Sequence, residues 1–128
     1  MISKRKSAIA LCVCLAFVQA CKHKNDSVSE LTLAHDVSPQ PPRVGVVTIT
    51  LKAMDGANKP VTGARITLEG NMSHAGMAPV FADAKETAPG SYISNIELSM
   101  AGDWYVVAHV TLPDSRKVDR QFEIKEVR

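Results

Sequence analysis

The 128-residue chain carries 15 Lys and Arg against 13 Asp and Glu, with three cysteines, seven prolines and seven glycines. Three of the bases precede Cys21 and none of the acids do, so the remainder sets twelve bases against thirteen acids, a balance of −1. This excludes a basic stripe for nucleic acid. With no cysteine after Cys21, it also excludes a cysteine nucleophile, a zinc knuckle and a disulfide framework in the body of the chain.

Lys4, Arg5 and Lys6 are followed by an apolar run from Ala8 to Ala20. Such a run is short for a bilayer span and fits the central region of a signal peptide. Its end, "AFVQAC", resembles the bacterial lipobox, with small Ala20 before Cys21 and with Gln19 as a departure. Residues 1–20 are therefore expected to be a lipoprotein signal peptide, and Cys21 the lipidated N-terminus. A diacylated cysteine gives the two chains that stable anchoring needs. Lys22, rather than Asp, follows it, which by the usual sorting rule points to the outer membrane with the domain in the periplasm. Residues 21–43 are polar, poor in large apolar side chains and end in a proline cluster. That composition predicts a flexible tether, with His23 and His35 as solvated linker residues.

From residue 44 to 128 the pattern is one of strands. "VGVVTITLKAM" alternates Val47, Ile49 and Leu51 against Thr48, Thr50 and Lys52, a period of two. "DGANKP" breaks it, and "ARITLEGNM" resumes it with Ala64, Ile66 and Leu68 against Arg65, Thr67 and Glu69. Residues 79–85 form a shorter candidate strand, and "APG" turns the chain into the parity of Tyr92, Ile96 and Leu98. "AGDWYVVAHVTL" is apolar on both parities, which predicts a central strand covered on both faces. "PDS" then leads to Val118, Phe122 and Ile124 alternating with charged residues. The reading is one domain, a small antiparallel immunoglobulin-like β-sandwich of about seven strands, with Trp104 in its core.

Catalytic signatures are missing. There is no phosphate-cradling glycine loop, no H-E-x-x-H and no G-x-S-x-G. Ser73 and His74 are neighbours, and neighbours on a strand point to opposite faces, so they make no nucleophile–base pair. The expectation is a non-enzymatic protein.

The stretch "GNMSHAGMAPVF", residues 70–81, stands apart. Met72 and His74 share a face on an extended chain, and Gly76 can turn Met77 back towards them. Thioether sulfur and imidazole nitrogen together suit Cu(I). The same residues also read as packing, since Met72 keeps the parity of Ile66 and Leu68 and methionine fills irregular gaps. Met100 and His109 join only if the fold brings them near.

The stretches "PVTGARITLEGNMSHAGM", "PGSY" and "SMAGDW" followed by "VVAHV" resemble the YtkA-like or FixH-like domains of bacterial envelope proteins. That resemblance implies an immunoglobulin-like sandwich tethered to a membrane, in the setting of copper transport or cytochrome-oxidase assembly. It implies Met72, His74 and Met77 as copper ligands, with Met100 less directly matched. Two functions follow as expectations: copper binding or hand-over in the envelope, or a metal-free interaction module that docks on a transporter or oxidase complex.

Overall fold

In the computed structural model, residues 30–74 and 76–128 are described. Residues 1–20, expected to be a signal peptide, and Cys21 and His23 lie outside them. Seven strands make up the domain: β1 (Thr32–Ser38), β2 (Gly45–Met54), β3 (Arg65–Met72), β4 (Val80–Ala88), β5 (Ser91–Leu98), β6 (Gly102–Thr111) and β7 (Lys117–Val127). No helix among the described residues is long and apolar enough to cross a membrane.

Every strand pairing is antiparallel, in the order β1-β2-β5-β4-β3-β6-β7. Strand β4 makes the corner. Its first half pairs with β3, from Val80 opposite Gly70 to Ala84 opposite Ile66. Its second half pairs with β5, where Lys85 faces Ile93 and a bulge follows Glu86. The sheet thus folds over on itself into two layers, and a strand that switches layers is how sandwiches turn corners. The outer edges, β1 and β7, then meet. His35 stacks on Phe122 with ring centroids 4.1 Å apart, and Arg120 Nε donates to the Leu31 carbonyl at 3.1 Å. Lower down, Val44 N donates to Arg128 O at 2.8 Å and Arg128 N to Pro42 O at 3.1 Å.

The alternation of the sequence fixes which side chains face inward. Val47, Ile49 and Leu51 of β2, Ile66 and Leu68 of β3, Tyr92, Ile96 and Leu98 of β5, and Trp104, Val106 and Val110 of β6 are buried in one cluster. Val118, Phe122 and Ile124 of β7 complete it. Trp104 is 2% exposed and lies in the same cluster as Ile66, Leu68, Ile96, Leu98, Val106 and Phe122. No buried polar side-chain atom among the described residues lacks a partner.

Two expectations need correction. The tether does not extend through residue 43, because residues 32–38 are β1, paired with β2 from Thr32 opposite Met54 to Ser38 opposite Thr48. An edge strand is held by backbone bonds that any sequence can make. Here only Leu31, Leu33 and Val37 bury apolar surface, too few to create a periodic signal. His35 accordingly is not a linker residue but a cap on the Phe122 ring. The second correction concerns β6, which is covered on one face only. Trp104, Val106, Ala108 and Val110 are buried, whereas Tyr105, Val107, His109 and Thr111 are half-buried on the outer face. The cross-strand neighbours on that face are polar: Asn71 and Glu123 flank Tyr105, and Glu69 and Gln121 flank Val107.

Candidate functional site

Strand register sorts the loops into two ends. Met72 faces Trp104, Gly70 faces Val80, Gly45 faces Leu98 and Gly102 faces Val127. The end of β3, the start of β4, the end of β5 and the start of β6 therefore lie together, and this is the methionine end. The opposite, turn end holds Leu31, the β2–β3 loop, the β4–β5 turn and the β6–β7 turn.

Strand β3 stops at Met72, so the shared face expected of Met72 and His74 ends with it. Met72 points inward, 6% exposed, and its Cε lies 3.1 Å from where a Cβ on Gly102 would sit. The sulfur that the sequence offered as a ligand is thus part of the core rim. His74 and Met77 are exposed on the loop that follows, Met77 at 37%. Gly76, at φ +92°, occupies the left-handed region that a side chain would oppose. Among the described residues, the loop from Ser73 to Pro79 contributes no hydrogen bond to the rest of the domain.

A second soft donor lies in the neighbouring loop. Met100, 48% exposed, sits between β5 and β6, and its carbonyl accepts the indole Nε1–H of Trp104 at 2.9 Å. Val44, Val46 and Phe81 are also exposed at or beside this end, so among the described residues five of the six large exposed apolar side chains lie towards it, Ile93 being the exception. His109 does not join them. It lies five positions along the ladder from the Met72 pairing and faces outward, about 17 Å away at strand rise.

His109 instead occupies a site that the sequence reading did not find. Its Nε2 lies 2.8 Å from Glu69 Oε2 and its Nδ1 2.9 Å from Asp119 Oδ1, bridging β3, β6 and β7 on the outer face. The Glu69 carboxylate, and after it that of Asp119, hold the imidazole pKa above its usual value of 6.5. His109 in turn, with the Asn71 amide, holds the Glu69 carboxyl below its usual 4.5. When the ring is protonated both of its nitrogens donate, and the three side chains form an ion-pair staple across the outer face. Among the described residues, no group of three or more His, Cys, Asp and Glu is placed to hold a metal. Half of the staple was legible: a β6–β7 hairpin closing at Thr111 and Lys117 sets His109 opposite Asp119. Glu69 required the β3–β6 pairing, forty residues away in sequence.

At the turn end the chemistry is structural. The Tyr92 hydroxyl donates to Val61 O at 2.8 Å and accepts from Ala64 N at 3.1 Å. The Glu86 carboxylate accepts from Gly63 N at 3.3 Å and Gly90 N at 3.4 Å. Asp55 Oδ1 accepts from Ala57 N and Lys59 N. A shallow cavity of about 270 Å³ opens there beside Leu31, Val61, Leu112 and Arg116, at the opposite end from Met77 and Met100.

A family model described as YtkA-like matches residues 27–109, a span that begins before β1 and ends within β6. No curated protein matches the chain. Among solved structures, murine CRIg aligns with 15% identity and a TM-score of 0.43, covering 76% of this chain and 98% of that one.

Proposed function

This chain belongs to the YtkA-like family, and from that premise we propose that it is a lipid-anchored, non-enzymatic accessory domain of the bacterial envelope that binds or hands over copper as Cu(I). The observation that carries the reading is the exposure of His74 and Met77 on a loop that, among the described residues, makes no hydrogen bond to the rest of the domain. Surface methionines gain nothing in water, whereas thioether and imidazole donors side by side suit a soft, low-coordinate ion. His74 and Met77 present the donors, and Met72 lies beneath them. When bound, the ion would supply a transferable cargo held by neutral ligands, suited to passing on to a metal-transport or oxidase-assembly protein.

The anchor fits the same reading. Cys21 lies ten residues before Leu31, which enters the domain at the turn end. The methionine end is then on the far side of strands of up to eleven residues, roughly 30 Å away at strand rise. A lipid on Cys21, in the outer membrane as Lys22 suggests, would leave the soft donors facing the periplasm. Mass spectrometry of the mature N-terminus tests the anchor, and an unmodified Cys21 rejects it.

Titration with Cu(I) under reducing conditions tests the cargo. The expected result is one tightly held equivalent, with Zn(II) bound far more weakly because thioethers are poor zinc ligands. No Cu(I) uptake by the folded protein rejects the copper reading. The second reading, a metal-free module docking on a transporter or oxidase complex, draws on the exposure of Val44, Val46, Met77, Phe81 and Met100 at or beside one end. Exposed apolar side chains that cluster mark interaction surfaces more often than scattered ones do.

A further inference from the structure

We infer that the open edge of β4, from Val80 to Ala84, docks an extended segment of a partner protein as an added strand. The inference goes beyond the copper reading and does not depend on it. It starts from the way β4 divides its pairing. The stretch from Val80 to Ala84 pairs with β3 alone, and the stretch from Lys85 to Ala88 pairs with β5 alone. Beyond Ile93, β5 pairs with β2 alone. The two strands therefore part at Asp83 and Ser94, where the Ser94 hydroxyl still donates to the Asp83 carbonyl at 3.0 Å, and they diverge towards the methionine end.

The direction of that carbonyl fixes which backbone groups line the gap. In a strand the N–H and C=O of one residue point to the same side, and those of residues i and i+2 share it. The Asp83 carbonyl points towards β5, so the Asp83 N–H and both backbone groups of Phe81 point into the gap. No strand among the described residues meets them. The outer edges are treated differently. Strands β1 and β7 are closed against each other by the His35–Phe122 stack, by Arg120 on the Leu31 carbonyl and by the Val44–Arg128 backbone bond. A row of unpaired backbone donors and acceptors is a template for another strand, and an extended backbone is the ligand whose own groups match it.

The side chains state the chemistry of that strand. Phe81 is 63% exposed on the outer face of β4, while Val80, Ala82 and Ala84 are half-buried on the inner face, against the core. A strand laid beside them is stabilised by apolar residues on its inner parity and opposite Phe81. Asp83 stands on one lip of the gap and Glu97 on the other, both exposed and neither in an ion pair among the described residues. The outward position opposite Asp83 is therefore basic. A second copy of this chain offers no base between Val80 and Ala84 and would set acid near acid.

The test uses the full chain, isotope-labelled at nitrogen and held in detergent micelles, with the peptide acetyl-KVKVLVK-amide as probe. Its valines meet the inner face, and its middle lysine and its leucine stand opposite Asp83 and Phe81. The amide signals of Phe81 and Asp83 should shift on titration. With peptide at about ten times its measured dissociation constant, their hydrogen exchange should slow about tenfold, while that of β1 and β7 stays unchanged. N-methylation of the middle lysine and the leucine, whose backbone groups face β4, should abolish this protection. N-methylation of the valines, whose groups face away, should leave it. Asp83→Lys should weaken the peptide about fivefold, the upper range for an exposed ion pair, and turn the preference towards acetyl-EVEVLVE-amide. Unshifted Phe81 and Asp83 signals overturn the inference, as does equal protection by the peptide methylated at lysine and leucine. So does protection of both amides in the peptide-free chain that fades on dilution, which would assign the edge to a second copy.

Discussion

At the turn end, Tyr92, Glu86 and Asp55 each bind backbone groups of loops that would otherwise be free, and the side chains there are charged or hydroxylated. At the methionine end, the loop from Ser73 to Pro79 is exposed and unbonded among the described residues, and its side chains are soft and apolar. The same β-hairpin architecture produces both, so strand connection does not explain the contrast. A loop satisfied by side chains is committed to stability, whereas one whose polar groups are left to water is free for a ligand. Trp104 marks the border: it seals the core beneath the methionine end and holds one loop there, yet takes no part in the loop above it.

Replacing that border should have the largest effect. Trp104→Ala removes a 2%-exposed ring from the cluster and is expected to cost about 3–5 kcal/mol in a denaturant melt. That is a large share of the roughly 5–10 kcal/mol expected for a domain of this size. A loss below about 1 kcal/mol would mean the ring is not central to packing.

The turn end comes next. Tyr92→Phe keeps the buried ring but strips the hydroxyl from Val61 O and Ala64 N, for an expected loss of about 1–3 kcal/mol. Gly90→Ala should cost a similar amount, because Gly90 sits at φ +72° and a Cβ there would lie 2.7 Å from Pro60 Cβ and 3.0 Å from Ala53 O. If either substitution is silent, the turn end is not tied as described.

The His109 staple should contribute less, since its side chain is 41% exposed. His109→Gln is expected to cost no more than about 1 kcal/mol, as solvent-screened pairs do. The pH dependence gives it a signature. The folded His109 pKa is raised, so its contribution is complete below about 6.5 and is lost as the pH rises through the raised value. The Glu69 pKa is lowered, so that share is present above about 4.5 and is lost as the pH falls through the lowered value. The difference between wild-type and variant melts should therefore be greatest between these limits and shrink on the alkaline side. A difference that grows with alkalinity contradicts the assignment.

The smallest effect on stability belongs to the methionine end, and there the comparison is sharpest. Met77→Leu should move the melt by less than about 0.5 kcal/mol, as exposed substitutions do, while removing most of the Cu(I) binding. A variant that loses copper and stability together would show the loop to be part of the fold's framework and would erase the contrast between the ends.

Much of the fold was readable because it rests on period-two alternation. Ile66 and Leu68, Ile96 and Leu98, and Phe122 and Ile124 each declared a core face, and each pair is buried on the side expected. Strand β1 was not readable, because an edge strand anchored by Leu31, Leu33 and Val37 relies on backbone bonds that leave no mark on side-chain choice. The candidate site was legible only in part. The stretch from Met72 to Met77 advertised its donors, but sequence could not tell a thioether in the core from one in solvent.

By itself, then, the sequence determined the strand class, the core faces, the position of Trp104 and the presence of soft donors in one loop. These are local properties, set by side-chain alternation and residue chemistry along a few neighbouring positions. Only the tertiary structure decided that Met72 turns inward, that the Met100 carbonyl takes the Trp104 indole, and that Glu69, His109 and Asp119 meet across three strands. Those outcomes depend on which strands pair and in what register, and pairing is set by the burial of the whole core at once, a sum to which no single stretch of chain gives access.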